Sequence, residues 1–249
     1  MSKPDGYFKP QWHVPKSVHA VCTTRHGGFS GSVYQGLNLG NHVQDNPQHV
    51  LQNREHIQRQ ANIPSTPLWL DQVHGNNVIE HHAKWFSQTP QADACYTTQH
   101  NLVCAVMTAD CLPVLFCNQE GTQVAAAHAG WRGLLDGILE NTLATFADPK
   151  QVMVYLGPAI SVDAFEIGQE VYQAFKAQNS IYDDAFHAHR HNKCHADLYH
   201  LAQLKLQQQG VVKITAAKQC TYQNQTDFFS YRRDGQTGRQ ACFIWLESI

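Results

Sequence analysis

The sequence predicts an α+β fold on three observations. Segments with helical apolar periodicity and short extended runs rich in Val, Leu, Ile and Cys are both present. Several extended runs follow one another before the second helix, so the strict alternation of a parallel βαβ sheet is missing. The 249 residues are 43% apolar, 10% aromatic and 15% charged, which supplies a core and excludes intrinsic disorder.

The first helix opens at Asn46, an N-cap residue type, with Pro47 at the first helical position. Val50, Leu51, Arg54, Ile57 and Ala61 recur with helical spacing, and Pro64 sets an end near Asn62. Extended runs are expected at 67–70, 77–80, 102–107, 114–117 and 123–127. A helix over 133–146 follows from the stripe Leu134, Leu135, Ile138, Leu139, Leu143 and Phe146. Beyond it come a strand at 151–156, helices at 168–177 and 196–209, a strand at 211–216 and a closing strand at 241–246. No repeat or linker divides the chain, so residues 1–249 are read as one domain.

Lys and Arg number 18 against 20 Asp and Glu, a formal net charge of −2. Without a basic run, a general nucleic-acid binder is excluded, because its affinity would come from phosphate neutralisation. No stretch reaches the roughly 18 apolar residues that span a bilayer, and the start MSKPDGYFKPQWHVP lacks the apolar centre of a signal peptide. The expectation is a cytoplasmic protein without a membrane partner. Thiols stay reduced there, so the 8 cysteines are read as buried small hydrophobes, nucleophiles or metal ligands rather than disulfides. The 16 histidines raise the question of a metal.

Three segments answer it. DQVHG places His74 after an extended run, TADCLPVLF places Cys111 between two strand-like runs, and VAAAHAGWRG ends a small-residue strand with His128. All three residues sit where strands end, the usual place for a site on a rigid scaffold. Two imidazoles and a thiolate suit zinc, and three protein ligands leave a fourth position open, the catalytic rather than the structural pattern. Their spacing matches no compact finger or ribbon. The same residues therefore also read as two hydrogen-bonded histidines and a core cysteine.

Glycine turns carry the arginines. HAGWRG presents Arg132, TTRHGG presents Arg25, and YRRDGQTGR presents Arg232, Arg233 and Arg239. Each reads either as a solvated turn or as part of an anion site built from guanidinium and backbone N–H groups. Three such turns in a weakly acidic chain suggest a phosphate or carboxylate ligand.

The ordered set TTRHGG, GLNLG followed by NRE, DQVHG, TADCLPV, AAAHAGWRG, LGPAI with FEIG, and FFSYRRDGQTGR resembles the YfiH family from about Thr23 to the C-terminus. Members of that family have been described as multicopper polyphenol oxidases or laccases, as peptidoglycan editing factors, and as purine nucleoside phosphorylases with adenosine deaminase activity. The resemblance implies a monomer with a layered α/β/β/α arrangement. It also implies a zinc site on His74, Cys111 and His128, which would serve catalysis as well.

The laccase description fits these residues poorly. A blue copper centre with a three-copper cluster needs many paired histidines and a weak axial ligand such as Met. This chain has 3 Met, and its one comparable run is His187, His189 and His191 in FHAHRH. Copper binding in vitro remains open, and so does a copper-dependent phenol oxidase. The nucleoside description fits better. Zinc lowers the pKa of bound water to about 7, which gives a hydroxide able to displace ammonia from adenosine. Phosphorolysis of adenosine, inosine or methylthioadenosine instead needs a phosphate held by cations, for which Arg25, Arg132 and Arg233 are the candidates. No His-x-Glu pair supplies a general acid or base. Asp110 is the nearest carboxylate to Cys111, and it points away from it if the segment is extended.

Other readings stay open: a Cys111–His128 dyad for acyl transfer, as the similarity to necrotizing-factor deamidases suggests; an amidase acting on UDP-muramoyl-serine, as the editing-factor description implies; and a binding protein with structural zinc, its fourth ligand Cys104 or Cys117.

Overall fold

Asn46 caps the first helix as its position in the sequence demands. Its side-chain oxygen accepts from the Gln48 N–H at 2.9 Å, and α1 runs Pro47–Gln60. The computed structural model describes residues 6–82, 88–190 and 192–248. Among them no helix is long and apolar enough to cross a membrane.

The largest sheet has the order β12 (Lys213–Ala216), β8 (Val152–Leu156), β6 (Leu112–Asn118), β7 (Val124–Ala129), β4 (Ala94–Thr97) and β3 (Val78–Glu80). Its central pairings are antiparallel, and the edge strands β12 and β3 pair in parallel with β8 and β4. Strands β6, β7 and β8 are covered on both faces, which is why they read as continuous apolar runs rather than alternating ones. A second sheet, fully antiparallel, has the order β1 (Tyr7–Phe8), β2 (Val18–Thr23), β13 (Gln240–Leu246) and β5 (Val103–Thr108). A third is β10 (Phe186–Arg190), β11 (Lys193–Ala196) and β9 (Glu166–Gly168). The remaining helices are α2 (Trp131–Asp136), α3 (Ile138–Leu143), α4 (Gln169–Gln178), α5 (Leu198–Gln208) and the single turn α6 (Tyr231–Asp234). The fold is α+β, with three sheets and flanking helices.

Three apolar clusters hold these parts together. Phe116, Val154, Leu139, Phe175 and Leu201 join one face of the six-stranded sheet to α3, α4 and α5. Leu115, Cys117, Val106 and Ile244 join its other face to the four-stranded sheet. Phe243, Ala105 and Val21 on the far side of that second sheet pack against Ile57 of α1.

Several expectations need correction. The helix expected over 133–146 is two helices, α2 and α3, because Gly137 takes a left-handed φ of 90° between them. The run at 67–70 is not a strand. Pro67 has no N–H to donate, and Leu68 makes only an isolated bridge with Cys104. Strands β1, β2, β4, β9, β10 and β11 are additional to the expected set. Cysteine usage also departs from expectation: Cys22 and Cys242, paired directly across β2 and β13, form a disulfide with Cα atoms 4.1 Å apart. The strand register brings them together over a sequence separation of 220, which no local pattern announces.

Candidate metal centre

Strand register assembles the site. Leu112 pairs with Ala129 across β6 and β7, so Cys111, just before β6, lies beside the end of β7. Ala94 pairs with Ala127 across β4 and β7, so Asp93, just before β4, lies beside His128. The His128 N–H donates to the Asp93 carbonyl at 2.7 Å. His74 arrives on the turn ahead of β3, with a left-handed φ of 62°. One donor atom from each of His74, Cys111 and His128 lies within 4.8 Å of the others. The structure thus gathers the three residues that the sequence singled out. His128 is buried, Cys111 half-buried and His74 exposed, so one side of the cluster faces solvent.

Asp93 organises this group. Its buried carboxylate accepts from the backbone N–H groups of His74 at 2.9 Å, Gly75 at 2.7 Å and Val73 at 3.2 Å, and it meets His128 Nδ1 at 2.8 Å. Burial alone would raise its pKa, but His128 and the amides outweigh it and hold the carboxyl below its usual range. The ionised carboxylate only accepts, so His128 carries its proton on Nδ1 and leaves Nε2 for the site. Without a metal, burial would push the Cys111 thiol up, yet His128 and His74 beside it hold it at about 6. Burial would likewise lower His128, but the Cys111 thiolate and Asp93 raise it to about 9. The tight approach depends on Gly130. A Cβ there would come within 3.0 Å of both Cys111 Sγ and His74 Cδ2.

The cluster opens into a cavity of about 560 Å³. Each of its three arginines is paired with an aromatic ring: Arg132 with Trp131 at 4.4 Å, Arg232 with Phe165 at 5.3 Å and Arg239 with Tyr231 at 6.0 Å. His42 and Met107 complete the wall relevant to chemistry. Burial, then Arg239 and Arg54 nearby, hold the His42 imidazole below its usual value.

Of the expected anion-binding arginines, only Arg132 reaches this cavity. Arg25 stacks on Phe229 at 4.7 Å and lines a separate cavity with Gly27 and Gly28. Arg233 is consumed structurally, donating to the carbonyls of Thr221, Tyr222 and Phe228 and to Asp234. Asp110 is not extended, its φ being 105°, and it lines the same cavity as Cys111 instead of pointing away; its carboxylate accepts from the Thr221 hydroxyl and the Arg232 N–H, both at 2.7 Å. Cys104 and Cys117 are fully buried and stand outside the group. His187 is exposed on β10, whereas the His189 side chain and His191 lie outside the described residues.

Asp93 and His42 were not chosen from sequence, and on the YRRDGQTGR turn the anion-binding candidate was Arg233, whereas Arg232 and Arg239 are the residues that line the cavity. For Asp93 a signal existed. A carboxylate inside the small apolar run QADAC is buried, and a buried charge needs partners.

The donor set fits one metal ion. It matches zinc, and with Met107 nearby it also resembles a mononuclear copper set. Among the described residues no second group of three such donors gathers to form a copper cluster.

Known proteins place the chain further. The family model for multi-copper polyphenol oxidoreductase laccase matches residues 19–247. Purine nucleoside phosphorylase YfiH of Escherichia coli K12 is 51% identical over 238 residues, 95% of this chain and 97% of that protein. A purine nucleoside phosphorylase of Haemophilus influenzae is 44% identical over 246 residues, 96% and 99% of the two chains. The crystal structure of a Neisseria meningitidis protein of the DUF152 family superposes with a TM-score of 0.94 at 48% identity, covering 98% of this chain and 100% of that one. The structure of YlmD from Geobacillus stearothermophilus superposes with a TM-score of 0.88 at 28% identity, covering 100% and 98%. Sequence match and superposition both run essentially end to end, and the chain belongs to the YfiH family, whose sequence model carries the laccase description.

Proposed function

We propose that this protein is a zinc-dependent purine nucleoside phosphorylase that converts adenosine, inosine and methylthioadenosine to free base and ribose 1-phosphate, and that it also deaminates adenosine. One observation carries the proposal: a single cavity combines a His–Cys–His metal set with three arginine–aromatic pairs. The relatives named as purine nucleoside phosphorylases support it. His74, Cys111 and His128 would hold zinc, which supplies Lewis acidity toward an oxygen or water at its open position. The chain's own groups do the rest. A purine is planar and stacks on rings or guanidinium faces, while an anionic phosphate pairs with guanidinium N–H groups. Arg132, Arg232 and Arg239 offer both.

His74→Ala, Cys111→Ala and His128→Ala are each expected to lose bound zinc and phosphate-dependent hypoxanthine release together, read by metal analysis and chromatography. Full phosphorolysis by a zinc-free triple variant would overturn the proposal.

A second reading has its own observation. Cys111, His128 and Asp93 stand in the order thiolate, imidazole, carboxylate, the arrangement of an acyl-transfer site. It points to an amidase, with UDP-muramoyl-serine as the substrate to try. Hydrolysis of that compound by metal-stripped protein, abolished on adding zinc, is the outcome that selects it.

A further inference from the structure

The metal cavity does not end at Arg239. A second cavity of about 310 Å³ adjoins it, and His42, Tyr231 and Arg239 wall both. The turn at residues 235–237 with Val43 and Gln44 lines the rest of the second one. Hydrogen bonds tie its frame together: Gln236 Nε2 donates to the Tyr34 hydroxyl at 2.5 Å and to Gln44 Oε1 at 3.2 Å, and the Tyr34 hydroxyl donates to the Val43 carbonyl.

Two observations give this side cavity the chemistry of an oxyanion site. Arg239 uses Nη1 on the Thr237 and Gly238 carbonyls, each at 3.0 Å, while its Nε and Nη2 donate to nothing among the described residues. Thr237 on the same wall is 1% exposed, and among the described residues it holds the one buried hydroxyl without a hydrogen-bond partner. Buried polar groups are seldom left unpaired, and this unpartnered hydroxyl belongs to a residue that lines the same cavity as the Arg239 guanidinium. No carboxylate lines the cavity. The nearest acid on the metal side, Asp110, has both oxygens engaged by Thr221 and Arg232.

We propose that inorganic phosphate binds in this side cavity, between the Arg239 guanidinium and the Thr237 hydroxyl, and reacts from there with a nucleoside seated in the metal cavity. The assignment rests on the phosphorylase reading above. A phosphate oxygen forms a bond to the ribose anomeric carbon, the glycosidic C–N bond breaks, and its electron pair leaves on the purine, which takes up a proton. The shared wall at His42 and Arg239 is where phosphate and ribose meet.

The test varies phosphate at saturating inosine in zinc-loaded wild type, Thr237→Val, Thr237→Ser and Arg239→Met. The KM for phosphate is expected to rise at least tenfold in Thr237→Val and Arg239→Met, and Thr237→Val, whose residue does not line the metal cavity, is expected to keep the KM for inosine within twofold and its zinc content unchanged. Thr237→Ser keeps the hydroxyl and is expected to stay near wild type. Thr237→Val is nearly isosteric, so it carries the test even if Arg239→Met fails to fold. Calorimetric titration with inorganic phosphate alone is expected to show weaker binding in the same two variants. Phosphate-dependent hypoxanthine release with an unchanged phosphate KM in both variants would overturn this site and leave the phosphorylase reading standing. Phosphate binding that depends on Thr237 and Arg239 without any hypoxanthine release would do the reverse. Turnover of inosine monophosphate without added phosphate, lost in Thr237→Val, would assign the cavity to the substrate's own phosphate and overturn the proposal.

Discussion

Asp93 acts on the site without being one of its three donors. One carboxylate fixes the His128 tautomer and pins the turn that carries His74, through hydrogen bonds of 2.7–3.2 Å. Asp93→Asn keeps the shape but removes the charge that holds the Nδ1 proton. Zinc affinity is expected to fall about 10–100-fold, measured by competition with a chromophoric chelator. An unchanged affinity would show that the amides alone position the ligands. Cys111 gives a pH prediction. Its folded-state thiol is depressed from the usual 9.0 to about 6, so the thiolate persists down to that value and is lost only as pH falls through it. Alkylation of the metal-stripped protein by iodoacetamide is expected to be at half its plateau near pH 6, and zinc is expected to suppress it. A midpoint near 9 would mean that His74 and His128 do not stabilise the thiolate.

Element ends place these residues, so the two glycines around α2 have separable roles. Gly137 matters for the backbone: its φ of 90° separates α2 from α3, and a Cβ in that region costs about 1–2 kcal/mol. Gly137→Ala is expected to lower the unfolding free energy, measured by urea titration, by a matching amount with full zinc content. Gly130 matters for clearance at the metal site. Gly130→Ala puts a methyl 3.0 Å from Cys111 Sγ and His74 Cδ2 and is expected to lose zinc while the fold persists. If both variants kept zinc and stability, the crowding at this turn would be wrong. Among the elements, α1 was legible because Asn46, Pro47 and a regular stripe coincide. The 133–146 stripe concealed a break, because Leu134, Ile138, Leu139 and Leu143 all reach one core whether or not the helix is interrupted. The hairpin β10–β11 was obscured by its polar, histidine-rich composition.

On the scale of the whole molecule, the site ties together segments far apart in the chain, since His74 and Cys111 lie on the connections ahead of β3 and β6 and His128 lies near the end of β7 in the same sheet. A metal bound there favours the folded state alone. At a free zinc concentration a thousandfold above Kd, that linkage is worth about 4 kcal/mol, and chelation is expected to lower Tm by several degrees. No change in Tm with chelator, in protein shown to contain zinc, would count against a site that needs the fold. The sequence by itself determined the α+β class, the α1 boundaries, the three metal-site candidates and the family, because each is written in local spacing or in short ordered motifs. Only the tertiary structure decided which arginines serve the cavity. Arg25, Arg132 and Arg233 look alike as glycine-turn cations. Of these, only Arg132 lines the cavity; Arg233 is spent on backbone carbonyls, and Arg25 turns to Phe229. The partners that settle a guanidinium's direction come from distant strands and turns, and so do Asp93 beside His128 and Cys22 beside Cys242. Such pairings are set by register between strands, which a linear spacing does not contain.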